Sequence, residues 1–157
     1  MNKRQAMILV ASLLIPLAVG SLAGIATASS VTTWYATLAK PSFNPPSWVF
    51  GPVWTTLYLM MGVALFLIWR QDPTPVRNRA LALFGLQLTL NFAWSFLFFA
   101  AERPDLALVN IVLLDVAIFA TIHVFRPLSR PAAALLVPYL LWCLFATVLN
   151  GAIWNLN

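Results

Sequence analysis

The charges in this chain fall almost entirely in short breaks between apolar runs of roughly 20 residues, the length that spans a bilayer core. Soluble domains carry about 25% charged residues. Here 8% of 157 residues are charged and 62% are hydrophobic, too little polarity to cover a water-facing surface. A transmembrane barrel would show short alternating segments, and the sequence has none. The expected fold is all-α: a polytopic membrane protein with a five-transmembrane-helix bundle, built as a single domain over 1–157. The spans are predicted at about 6–28, 49–69, 80–101, 106–125 and 132–154, with a lid-like loop at about 29–48.

Charge and proline mark the breaks: Arg70 to Arg79 with Pro73 and Pro75, then Glu102 to Asp105, then Arg126 to Pro131. Pro104 and Pro131 fit helix starts, where a missing N–H costs little. Lys3, Arg4, Arg70, Arg77, Arg79, Arg126 and Arg130 fall on one side of the predicted bundle, and Lys40 and Arg103 on the other. The excess of Lys and Arg predicts a cytoplasmic N-terminus and an outside C-terminus, and fits a bacterial inner membrane. Lys3, Arg4 and Ala26-Thr27-Ala28 also resemble a secretory signal. The apolar run exceeds the 7–15 residues of a signal core, so a retained helix is expected. Its small residues Ser12, Pro16, Gly20, Gly24 and Ala28 recur every fourth position and suit close helix packing.

The net charge of +5 does not indicate a nucleic-acid partner, because the basic residues cap helix ends instead of forming a patch interleaved with exposed aromatics. Cys143 is the single cysteine, which excludes an internal disulfide and a cysteine metal cluster. There is no Ser/His/Asp arrangement, paired carboxylate, metal-ligand spacing or phosphate-binding glycine loop. Catalytic residues: none; metal ligands: none. Asp115 is the one acid in mid-span, a candidate proton carrier or cation partner, against the alternative of a hydrogen-bonded protonated carboxyl. His123 lies near Arg126 and reads as a headgroup-level residue and not as a haem ligand.

Three spans present aromatic and polar groups on one stripe at 100° per residue. The second carries Trp54, Tyr58, Met61 and Leu65. The third carries Gln87, Asn91, Trp94 and Phe98. The fifth carries Tyr139, Trp142, Ala146 and Asn150, with Pro138 entering from the preceding turn. An amide in hydrocarbon costs several kcal/mol without a partner, so the Gln87/Asn91 face should point inward. Stripes of this kind are more often core than ligand wall. Together they would make a pocket for a flat apolar ligand with a few polar edges. The opposite face of the third span, Gly85, Thr89 and Ala93, permits close approach of another backbone. A homodimer through that face, or through Gly20, Gly24 and Ala28, is expected.

The connector WYATLAKPSFNPPSWVFGPVW, Trp34 to Trp54, carries three of the seven tryptophans and four of the eleven prolines. A connector this long and aromatic is an ordered element. Trp34 to Pro52 reads as a proline-stiffened lid over the pocket, whose mobility should control ligand entry.

The segments WYATLAKPSFNPPSWVFGPVWTTLY, QLTLNFAWSFLFF and VPYLLWCLFATVLNGAIWNLN, in this order on five spans, resemble the TspO/MBR family of translocator and tryptophan-rich sensory proteins. The resemblance covers nearly the whole chain. It implies a five-helix bundle, usually dimeric, that binds porphyrins, haem and synthetic isoquinoline or benzodiazepine ligands. Matched position by position, the implied ligand-binding wall includes Trp34, Tyr35, Trp54, Tyr58, Asn91, Trp94, Trp142, Ala146 and Leu149. No obligatory cofactor is implied; protoporphyrin IX or haem is the expected ligand. The leading expectation is a membrane tetrapyrrole-binding protein acting as sensor, regulator or carrier, with Asn91 and tryptophan N–H groups reaching the ligand's polar edges. The alternatives are light-dependent oxidative degradation of protoporphyrin at Trp54 and Trp142, or transport of a hydrophobic ligand. Transport ranks last because no inverted repeat or broken helix pair is visible. Two departures stand out. The vertebrate cholesterol motif is missing from Ala146 to Asn155, which has neither tyrosine nor Lys/Arg, and Asn110 stands where many relatives carry an acid in the fourth span.

Overall fold

The computed structural model describes residues 2–157. Its long helices are α1 (Lys3–Thr32), α3 (Ser47–Trp69), α4 (Pro75–Ser95), α5 (Pro104–Leu128) and α7 (Val137–Leu156). Two short helices, α2 (Trp34–Thr37) and α6 (Arg130–Leu135), precede α3 and α7, and a π-helical segment, Phe96–Ala100, continues α4. Among the described residues, five helical stretches are long and apolar enough to cross a membrane. The chain is an integral, multi-pass membrane protein.

Helix starts follow local capping chemistry. Asn2 Oδ1 accepts from Gln5 N at 2.9 Å and opens α1. Thr74 Oγ1 accepts from Arg77 N at 3.1 Å and opens α4, with Pro75 in the first turn. Ser129 caps α6 through Ala132 N. Caps of this kind contribute about 1 kcal/mol each. Pro104 opens α5 beside the Arg103–Asp105 ion pair.

The predicted boundaries need correction at four places. The first helix runs from Lys3 to Thr32, several residues beyond the apolar stretch. The third begins at Pro75, so Arg77 and Arg79 are helical. Arg77 turns back to donate to Trp69 O at 2.7 Å, placing a cation on the carbonyl end of α3. The fifth span is two helices joined at Leu136, because Pro138 lacks an N–H and starts α7 afresh. The lid is shorter than expected: α2 and α3 leave Leu38–Pro46 as its irregular part, and Pro52 lies inside α3. Apolar length marks what crosses hydrocarbon, whereas caps decide where helices start.

Two cores result. The larger, with Met61, Ile68, Phe84, Ile118, Phe125, Leu136 and Tyr139 buried, joins α3, α4, α5, α6 and α7. Its lower part lies at the end carrying Arg70, Arg126 and Arg130, called here the basic end. The smaller, around Phe98, Ala107, Leu149 and Ile153, lies under α2 at the lid end. The large side chains left exposed are mostly apolar, as on α1 (Met7, Leu14, Leu22, Ile25) and α5 (Leu113, Val116, Phe119), which suits contact with acyl chains. Trp48 and Trp154 are exposed at the lid end, where amphipathic rings mark a membrane–water interface.

Helix α1 joins the bundle along α3. A Cβ on Gly62 would lie 2.9 Å from both Ser12 O and Leu13 Cα, so the two backbones touch there. Ser12 and Pro16, from the small-residue stripe, are buried in this seam. Higher up, a Cβ on Gly20 would collide with the Tyr58 ring.

Candidate functional site

Above the larger core, α1, α3, α4 with its π segment and α7 enclose a cavity of about 400 Å³. Eight rings line it: Tyr35, Phe50, Trp54, Tyr58, Trp94, Phe98, Phe99 and Trp142. Its other walls are small or aliphatic, including Gly20, Gly24, Ala146, Leu149 and Ile153. No acid, base, cysteine or methionine is among the lining residues.

The floor hangs on one amide. Tyr58 Oη donates to Asn91 Oδ1 at 2.7 Å, and Asn91 Nδ2 donates to Tyr139 Oη at 3.1 Å. Asn91 thereby ties α3, α4 and α7 together. One turn along α4, Trp94 Nε1 donates to Asn150 Oδ1 at 3.0 Å, and Asn150 Nδ2 donates to Pro104 O at 2.8 Å. Interhelical hydrogen bonds in membranes contribute roughly 0.6–2 kcal/mol each. The stripes predicted this inward face correctly, but the role of its polar atoms differs. Asn91 Oδ1, one of the two Asn91 Nδ2 hydrogens and the Trp94 N–H are engaged within the wall. Among the described residues, the Trp54 and Trp142 N–H groups have no hydrogen-bond partner.

The rings pack edge to face or stacked, the arrangements their quadrupoles favour. Trp54 stacks on Tyr58 at 5.4 Å between centroids, and Trp94 stacks on Phe98 at 5.2 Å. Trp142 meets Phe50 at 5.9 Å. The π turn widens the helix at Phe96–Ala100 and brings the consecutive residues Phe98 and Phe99 to the same cavity. Such insertions are frequent at functional sites.

The lid is closed on itself by one side-chain bond and tied to the C-terminal residue by a pair of others. Tyr35 Oη donates to Asn44 Oδ1 at 3.0 Å. Burial pushes the Tyr35 phenol above its ordinary value, against the opposing pull of that bond, and keeps it a donor. At the far end, Asn157 Oδ1 accepts from Ala39 N at 2.9 Å and Asn157 Nδ2 donates to Ala39 O at 3.0 Å. The Lys40 ammonium lies 4.6 Å from the Tyr35 ring centroid, bringing positive charge to this end of the wall.

Of the nine expected wall residues, the structure brings eight to the cavity: Tyr35, Trp54, Tyr58, Asn91, Trp94, Trp142, Ala146 and Leu149. Trp34 does not reach it and packs edge-on against Phe98 at 5.7 Å, as part of the wall's support. The contribution of α1 escaped the sequence reading, although Gly20 and Gly24 were visible as a packing stripe. Asn150 was on the fifth-span stripe and also lines the cavity.

The profile of the TspO/MBR family matches residues 12–155. The chain belongs to the TspO/MBR family. Similar proteins include the tryptophan-rich protein TspO of Archaeoglobus fulgidus, 48% identical over 149 residues, covering 95% of this chain and 96% of that one. The human translocator protein is 44% identical over 126 residues, 79% of this chain and 75% of its own. The tryptophan-rich sensory protein of Cereibacter sphaeroides is 37% identical over 124 residues, 79% of this chain and 77% of its own.

Two candidates in this TspO/MBR chain lie away from the cavity. Asp115 is buried between α5 and α7, where Thr147 Oγ1 donates to its Oδ2 at 2.7 Å and its Oδ1 has no partner. His123 is exposed at the basic end beside Arg126 and Arg130, on a shallow cleft. Among the described residues, no group of three His, Cys, Asp or Glu is placed to hold a metal ion.

Proposed function

We propose that this TspO/MBR protein binds a tetrapyrrole, protoporphyrin IX or haem, within the bilayer as a sensor, regulator or carrier. The observation that carries this reading is the ring of eight aromatic side chains around a cavity of about 400 Å³, within the 300–1,000 Å³ range of small-molecule sites. A flat macrocycle gains most from such a wall, through stacking and apolar burial. The lining has no histidine, cysteine or methionine, so the ligand is gripped by its face and not through a metal. Its carboxylates point toward the lid end, where Lys40 sits over Tyr35.

A wall without an acid or base favours binding over acid–base catalysis. Dimer formation through Gly85, Thr89 and Ala93 fits this picture, because Gly85 and Thr89 are exposed while Gly20 is occupied by Tyr58. The basic end faces the cytoplasm.

Titration of the bilayer-reconstituted protein with protoporphyrin IX, followed by tryptophan quenching and the porphyrin absorption band, tests the reading. Saturable quenching is expected, weakened by Trp54→Phe with Trp142→Phe. An affinity indifferent to that pair would place the ligand elsewhere.

A further inference from the structure

The exposed residues of the cavity wall all come from two helices. Ser21, Gly24 and Val31 on α1 and Ser47, Gly51 and Thr55 on α3 line the cavity and are exposed. Every lining residue from α4, its π segment and α7 is buried or half-buried, and so is Tyr35 under the lid. The rim is made of small side chains apart from Val31. A Cβ built on Gly24 or Gly51 would meet nothing within 4 Å. From Ser47 to Thr55 the opening runs about 12 Å along α3, at 1.5 Å per residue. Its deeper part, at Ser21, Gly24, Gly51 and Thr55, lies in the flanks of spanning helices and faces acyl chains, while Ser47 and Val31 lie at the level of the interfacial Trp48.

The lid, by contrast, is braced within itself by the Tyr35–Asn44 bond and tied to the residue that follows α7 through Ala39 and Asn157. Resting on the binding function proposed above, we infer that the α1–α3 slot is a lateral portal, through which the cavity takes apolar ligands dissolved in the bilayer. The small rim lets a flat ligand pass edge-on with little displacement of backbone. Phe50, Trp54 and Trp142 then receive its face. The class of substrate follows: molecules that partition into hydrocarbon and reach the site by diffusion in the membrane plane. Passage needs no opening of the lid, contrary to the expectation that lid mobility controls entry.

The test is stopped-flow tryptophan quenching by protoporphyrin IX with the full chain in lipid vesicles, the porphyrin being pre-dissolved in the same lipid. Gly24→Leu and Gly51→Leu place bulk in the slot at helical positions with open space. Association and dissociation should both slow by about tenfold or more, since one narrowed opening serves both directions. Asn157→Ala, which frees the lid end, should leave both rates within about twofold. At fixed total porphyrin, adding lipid should slow association in proportion to the fall in porphyrin mole fraction. Rates unchanged by both leucine variants, or accelerated by Asn157→Ala alone, overturn the portal while the binding function stands. No saturable quenching in the unaltered protein overturns the binding function, and the portal with it. Circular dichroism of each variant confirms helix content, and Leu22→Ala, on the exposed face of α1 outside the cavity lining, should retain the unaltered rates.

Discussion

The seam between α1 and α3 is closed at one end and open at the other, and glycine serves both ends. Toward the basic end, Gly62 lets the α3 backbone touch Ser12 O and Leu13 Cα. Toward the lid end, Gly24 and Gly51 touch nothing, and their missing side chains leave room. Gly20 marks the transition, with the Tyr58 ring in its place. A small-residue stripe therefore has no fixed meaning. Its upper part is a rim because the Tyr58 ring stands between the two helices at Gly20.

The strongest way to break this contrast is Gly62→Val. The added atoms meet backbone, which no rotamer change relieves, so a loss of about 3 kcal/mol or more is expected, measured by denaturant titration in detergent. Unchanged stability would mean the seam is not closed there. Next comes the cavity itself: Trp54→Ala with Trp142→Ala should weaken protoporphyrin binding by about 10–100-fold, through lost stacking and burial. Quenching by the remaining tryptophans, such as Trp94, gives the readout, and unaltered thermal stability would separate this effect from unfolding. Asn91→Leu leaves the Tyr58 and Tyr139 hydroxyls without their shared partner and should cost about 1–2 kcal/mol. Tyr58→Phe, which removes one of those two bonds, should cost less in the same assay. The smallest effect belongs to Gly24→Ala, which should change stability by no more than about 1 kcal/mol, and in the favourable direction, since alanine is the better helix former. A marked loss there would show the rim to be packed.

The architecture was legible because charges and prolines interrupt the apolar runs, and Gln87, Asn91, Trp94 and Phe98 lie at helical spacing. That spacing puts Asn91 and Trp94 on the cavity side. Three things were not legible. The destination of the Asn91 amide depends on Tyr58 and Tyr139, 33 and 48 residues away in sequence. The π turn at Phe96–Ala100 leaves no pattern in FLFFA that would distinguish it from α-helix. Trp34 matched the wall by position in the chain, yet the short helix α2 turns its ring toward Phe98. Periodicity tells which face turns inward, whereas the partner on that face is set by how neighbouring helices meet it.

The slot between Gly24 and Gly51 has a consequence for thermodynamics. If the pocket opens to hydrocarbon as inferred above, an acyl tail can occupy it in the ligand's absence, and binding becomes an exchange in which each arriving ligand returns that tail to the membrane. Measured affinity then depends on the bilayer as much as on the wall. Longer or more saturated chains, packed under different lateral pressure, would change the occupancy of the site with no change in the protein.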